Sequence, residues 1–230
     1  MYVVELALHT RPESLSEVVY ETIRDAIVNR TIPPGVRVTE AGLAKQLNVS
    51  KTPVREALLR LREIGLIEPS GVRGGRIILP SLTSIRHAYE VRLALETFAA
   101  ETAAERADPD TRREIDAAAR SCLKRAEAGD FEGFRAWDTR FHEAVVRASD
   151  NPRLANMIAD VFTLVTALRR RDVPHAEGSI ECARAHVRIA EAIAAGDADR
   201  AHAEMRAHVR QVEAYVVASL SERGGGAFAA

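Results

Sequence analysis

The stretch NVSKTPVREALLRLREIGLIEPSGVRGGRIILP, Asn48 to Pro80, constrains the fold more than any other part of the chain. A three-residue turn, Asn48-Val49-Ser50, leads into a helix pattern. At about 100° per residue, Val54, Ala57, Leu58, Leu61 and Ile64 fall within an arc of about 120°, a single buried face. Gly65 is suited to the position just past that helix. Two short apolar runs around a glycine-rich tip then read as a β-hairpin. Upstream, SLSEVVYETIRDAIVNR is a first helix, with Val18, Ile23 and Ile27 on one face and Val19 and Ala26 beside them. TIPPGVRVT breaks it and leaves VRV as at most a short strand. TEAGLAKQL is a short second helix with Thr39 at its N-cap. Three helices followed by a hairpin make a winged helix-turn-helix, closed by Pro80.

From Ser84 onward the pattern is helical. Breaks fall near Asp108-Pro109, Gly129-Asp130, Asp150-Asn151-Pro152, Val173-Pro174 and Gly196-Asp197, giving six or seven helices and no strand. The expected fold is therefore mainly α: a winged helix-turn-helix over 1–80 and an all-α helical bundle over 81–230. The tail GGGAFAA is expected to fray.

Overall net charge of -1 gives no argument for nucleic acid, but between Arg37 and Arg76 eight basic residues face four acidic ones, a local +4. Two cysteines, Cys122 and Cys182, argue against a disulfide framework. No apolar run is long enough to span a membrane. The start MYVVELALHT lacks a basic region and carries Glu5, so it is a poor signal peptide, and a cytoplasmic location is expected.

The third helix begins with Ser50, Lys51, Thr52 and Pro53, and Arg55 follows. Lys51, Arg55 and Arg62 cluster beside the apolar face and point outward. A recognition helix meets bases with its N-terminal residues. Hydroxyls bond phosphate or base, and Lys or Arg reaches guanine. Free N–H groups at the helix start also favour phosphate. The plain alternative is a solvated helix capped by Ser50 or Thr52. The tight turn before it and the wing after it favour DNA.

Residues 15–79 resemble the DNA-binding domain of the GntR family of bacterial transcriptional regulators, through PPGVRVTEAGLAKQLNVSKTPVREALLRLREIGLI and the Gly74-Gly75 wing tip. The resemblance implies DNA contacts from Ser50, Lys51, Thr52 and Arg55, with the wing at Gly74 and Gly75 reaching the minor groove. Ala41 and Lys51 stand where the family usually carries Arg. The first change removes a usual contact, and the second replaces a bidentate fork by a point charge.

Three histidines of the helical half sit on apolar stripes: His142 with Phe134, Phe141 and Val145; His186 with Cys182, Ile189 and Ile193; His208 with Ala201, Met205, Val212 and Tyr215. Asp138 lies one turn before His142 on the same side. Four separately satisfied core groups is one reading. A single divalent ion satisfying all four is the other, and three imidazoles with a carboxylate suit zinc, nickel or manganese rather than calcium. Arg92 shares a stripe with Ile85, Ala88, Leu95 and Ala99, where a guanidinium needs a partner. That partner is either a carboxylate effector or a nearby acid such as Glu96. Cys182 stands either beside the ion or as core filler, and Arg169-Arg170-Arg171 reads as a solvated helix end.

Residues 84–220 resemble the FCD ligand-binding domain of the FadR subfamily, through YEVRLALE, WDTRFHEAVVRASDNPRL, AHVRIAEAIAAGDADRA and MRAHV. The resemblance maps metal ligands onto Asp138, His142, His186 and His208. It implies a homodimer and a small organic acid effector bound at or beside the metal. The leading expectation is a ligand-responsive transcriptional regulator, a repressor on a palindromic double-stranded DNA operator, and not an enzyme. A metal sensor and a metal-dependent hydrolase fused to a DNA-binding domain are the alternatives.

Overall fold

A computed structural model describes residues 14–71, 74–169 and 176–223. The chain divides into two compact units, with the division between Leu79 and Pro80. The frayed-tail expectation, on 224–230, lies outside the described residues.

The first unit runs α1 (Leu15–Val28), β1 (Arg37–Thr39), α2 (Glu40–Leu47), α3 (Lys51–Glu63), β2 (Ile67–Pro69) and β3 (Gly74–Ile77). Its three strands form an antiparallel sheet in the order β1-β3-β2. VRV is thus an edge strand, pairing Val38 with Gly75. Thr39 caps α2, its side chain accepting from Gly42 N at 3.1 Å. Asn48 ends α2 in the left-handed region, which sets the tight turn into α3. Gly65, at φ +81°, ends α3 in a Schellman motif, with Leu66 N donating to Leu61 O and Gly65 N to Arg62 O. The core is the expected α3 face, Val54, Ala57, Leu58 and Leu61, with Ile23 and Ile27 of α1. On α1 the phase differs from expectation. Val19 and Tyr20 are buried and Val18 is exposed, because the Tyr20 ring turns inward and stacks under Arg60 at 3.7 Å.

The second unit is helical throughout its described residues: α4 (Leu82–Arg106), α5 (Pro109–Glu127), α6 (Phe131–Ala148), α7 (Pro152–Leu168), α8 (Ala176–Ala195) and α9 (Ala198–Arg223). The breaks are chemical. Ser81, Asp108, Asp130 and Asn151 each accept backbone N–H bonds at an N-cap, and Gly129 and Gly196 take positive φ at the ends of α5 and α8. Arg112 gathers the carbonyls of Ala104, Ala107 and Ala194, satisfying groups at the ends of α4 and α8. α4 lies against α6, α7, α8 and α9. Polar side chains along its inner face therefore have neighbours on four other helices.

Candidate functional site

Four helices converge their polar side chains inside the second unit. α4 contributes Arg92 and Glu96, α6 Asp138 and His142, α8 Cys182 and His186, and α9 His208. The three histidines are 2%, 0% and 1% exposed, whereas the Asp138 side chain keeps 29%, so solvent reaches the cluster from the Asp138 side.

The ring nitrogens nearest one another on His142, His186 and His208 lie within 4.8 Å, and so do the donor atoms of Asp138, Cys182 and His186. The four residues singled out in the sequence thus divide between two triads that share His186, and Cys182 joins one of them. Asp138 Oδ1 is 3.6 Å from His186 Nε2 and 4.0 Å from His142 Nε2. The Phe141 ring stacks on His186 with centroids 4.2 Å apart and fixes its plane.

Both ring nitrogens of His208 and Nδ1 of His186 are buried with no hydrogen-bond partner. Leaving such groups dry and unpaired costs about 1–3 kcal/mol each. Burial holds His208 well below the usual histidine pKa and His186 down at about 3, so both rings are neutral and their lone pairs are available. Burial raises Asp138, but His142, His186, Arg92 and Arg169 outweigh it and keep the carboxyl below its ordinary range. Neutral imidazoles, an ionised carboxylate and orphaned nitrogens in one cavity fit a divalent first-row metal. Its bonds of about 2.0–2.2 Å place neighbouring donors about 3–4 Å apart.

Arg92 is 3% exposed and forms an ion pair with Glu96, the acid named as its alternative partner. Its Nη2 also lies 3.4 Å from His142 Nε2. Its guanidinium packs over Phe162 at 4.9 Å. Glu96 is more than that partner. Its Oε2 lies 2.6 Å from His142 Nδ1, an ion-pair distance, although the approach is off the line of a good hydrogen bond. Both side chains are sealed from water, 1% and 2% exposed. Burial raises Glu96, but Arg92 first and then His142 overcome it and hold the carboxyl at about 2.

Arg169 departs from expectation. It is half-buried, donates from Nε to the Tyr89 hydroxyl at 2.7 Å, and lowers the Asp138 pKa. Arg170 and Arg171 lie outside the described residues. The inward turn of Arg169 follows from the end of α7 at Leu168, which frees the next residue from the helical stripe.

In the first unit, Ser50, Lys51, Thr52 and Arg55 are exposed together at the start of α3. Ser50 holds the N-cap position, but its side chain makes no capping hydrogen bond. The Ser50 hydroxyl is therefore not spent on capping α3. Arg55 is tied to Glu40 of α2 by bonds of 3.2 and 3.3 Å. Arg62 does not point outward. It is half-buried and donates to Gly74 O, fastening α3 to β3.

Gly74 and Gly75 are not at the wing tip. Both are buried inside β3. A Cβ on Gly74 would lie 2.4 Å from Val38 O, and one on Gly75 2.2 Å from Ile67 Cγ2. The glycines permit close strand approach; Val72 and Arg73, between β2 and β3 in sequence, lie outside the described residues.

Residues 15–77 match the family model for bacterial regulatory proteins of the gntR family, and residues 87–211 match the FCD domain. The chain is 32% identical over 210 residues to the "Probable D-xylose utilization operon transcriptional repressor" of Paenarthrobacter nicotinovorans, covering 88% of this chain and 89% of that protein. It is 24% identical over 200 residues to the HTH-type transcriptional repressor RspR of Escherichia coli (strain K12), covering 87% and 88%. Among solved structures it is similar to E. coli McbR/YncC, with a TM-score of 0.70 at 22% identity over 92% of this chain and 99% of that one, a likeness of fold.

Proposed function

The chain belongs to the gntR family of bacterial regulatory proteins, with an FCD domain as its second unit, and from that premise we propose a metal-dependent repressor released by a small carboxylate. As a member of that family it is a ligand-responsive DNA-binding regulator of transcription and not an enzyme. No described helix is long and apolar enough to cross a membrane, and the place of action is the cytoplasm, where DNA is.

DNA is read by Ser50, Lys51, Thr52 and Arg55 from the start of α3. Support comes from their shared exposure and from the Ser50 hydroxyl, which is not spent on capping. Gly74 and Gly75 serve by letting the strands of the wing, which reaches the minor groove, approach closely. The chain acts as a homodimer on a palindromic operator. α4 presents Val91 and Phe98, each 48% exposed and seven residues apart on one face, as apolar surface for a second copy.

Asp138, His142, His186 and His208 hold one zinc, nickel or manganese ion. The observation that carries this reading is His208, wholly buried with both ring nitrogens unpartnered. Such an ion supplies positive charge and an open coordination position. Glu96 orients His142, and Phe141 fixes His186. Arg92 meets the effector carboxylate from the opposite side while held by Glu96.

Elemental analysis of purified protein, with gel shifts on DNA upstream of its own gene in the presence and absence of organic acids, tests the reading. One metal per chain and acid-dependent release are expected. Metal-free protein whose DNA affinity ignores every acid would overturn it.

A further inference from the structure

We infer that Cys182 is a ligand of the metal proposed above, its sulfur joining Asp138 and His186 on the solvent-reached side of the cluster. The inference rests on that metal reading and narrows the identity of the ion.

The three donor atoms form a nearly equilateral triangle. Cys182 Sγ is 3.8 Å from Asp138 Oδ1 and 3.9 Å from His186 Nε2, and the third edge is 3.6 Å. With bonds of about 2.3 Å to sulfur and about 2.0–2.1 Å to nitrogen and oxygen, a tetrahedral ion sets these edges at about 3.4–3.6 Å. Contractions of a few tenths of an ångström bring the thiol into the coordination sphere. The orphaned nitrogens of His208 are an independent sign that this cavity is built around something absent from the protein's own hydrogen bonding. Asp138 keeps partial exposure, so an ion entering from that side meets Asp138, Cys182 and His186 together.

Cys122 provides the contrast within the same chain. It is fully buried among Ala126, Ala183, Phe134 and Trp137, and its thiol faces the Phe134 carbonyl at 3.7 Å. It has the surroundings of core filler. Cys182 has a carboxylate and an imidazole instead.

Ligation exchanges the thiol S–H bond for a sulfur–metal bond and releases one proton to solvent, with no change of oxidation state. A soft sulfur donor selects zinc, nickel or cobalt over manganese. With all five side-chain donors bound the shell is octahedral, its edges of about 3 Å ask for contractions of just under 1 Å, and one position is left for an effector oxygen.

The test uses full-length protein loaded with cobalt(II), and separately with zinc. Cobalt-loaded wild type is expected to show an intense near-ultraviolet sulfur-to-cobalt charge-transfer band. Cys182→Ser should lose that band and keep the weaker visible bands of a nitrogen- and oxygen-bound ion. X-ray absorption of zinc-loaded wild type should fit one sulfur at about 2.3 Å, a readout that needs no variant to fold. Metal uptake with only nitrogen and oxygen neighbours, or a band unchanged in Cys182→Ser, overturns this inference and spares the metal reading. No uptake of either ion overturns both.

Discussion

Nδ1 of His142 lies 2.6 Å from Oε2 of Glu96, and Oε1 of the same carboxylate is paired with Arg92. One buried acid thus serves a cation and an imidazole at once. With Nδ1 turned to the carboxylate, Nε2 of His142 faces Asp138 at 4.0 Å. Metal-binding histidines commonly use this arrangement, in which the outer nitrogen is fixed by a carboxylate so that the inner one presents its lone pair.

Glu96→Gln is therefore expected to weaken metal binding by about 10- to 100-fold without changing the ligand set. A chelator competition measures it. Unchanged affinity would mean that Glu96 serves Arg92 alone.

Deleting either member of the Arg92–Glu96 pair strands the other charge away from water. Glu96→Ala and Arg92→Ala should each cost about 3–5 kcal/mol in urea unfolding, and the double variant less than the sum of the two. Additive losses would show that the charges do not compensate one another. This also alters what Arg92→Ala can report. Because Glu96 contacts His142, the substitution is expected to disturb metal binding as well as effector response.

In the first unit, Arg55→Ala should weaken specific operator binding by roughly 5- to 150-fold in a gel shift. Arg55 is exposed but Glu40 is largely covered, at 12% exposed, so only a small loss of thermal stability is expected. Lys51→Ala should reduce the salt slope of binding by about one. If Arg55→Ala binds the operator like wild type, α3 is not the reading helix.

Gly74→Ala separates a structural glycine from a DNA-contacting one. The added Cβ meets backbone at Val38 O, which cannot swing aside. The first unit should lose about 1–3 kcal/mol of stability, the scale of an overpacked core. A variant as stable as wild type but defective in DNA binding would restore a contact role to Gly74.

What the sequence revealed follows from periodicity. His142, His186 and His208 stood out because a 3.6-residue period makes a polar group on an apolar face visible without any structure. Each helix break was legible in the same way, from its Asp, Asn, Pro or Gly. The partners were harder to see. Glu96 and Arg92 are one turn apart, so a local pair explained both and concealed the reach of Glu96 across to α6. Cys182 stays open in the sequence between neighbour of the ion and core filler, and α6 supplies the Asp138 that turns it toward the first. Arg62 and Gly74 were misplaced for one reason. The hairpin folds back on α3, a long-range pairing that no wheel contains, and it buries the strand glycines and captures the arginine.

Metal should also decide whether the site accepts an acid. Asp138 and Glu96 bring two negative charges and Arg92 one positive, and His186 and His208 are neutral. With His142 neutral too, those groups total -1. Counting Arg169 the metal-free total is 0, and a divalent ion with Cys182 bound as thiolate brings it to +1. A buried anion finds no excess positive charge to neutralise in the first arrangement and finds it in the second. Small carboxylates should therefore bind metal-loaded protein and show no measurable heat with metal-stripped protein in calorimetry. Metal at about 100 times its dissociation constant should add about 2.7 kcal/mol of stability. At about 2–4 °C per kcal/mol, that is a visible rise in the melting midpoint, with a further rise on adding the acid. Equal binding of acids with and without metal, or a tightest ligand that is neutral or cationic, would sink the charge argument.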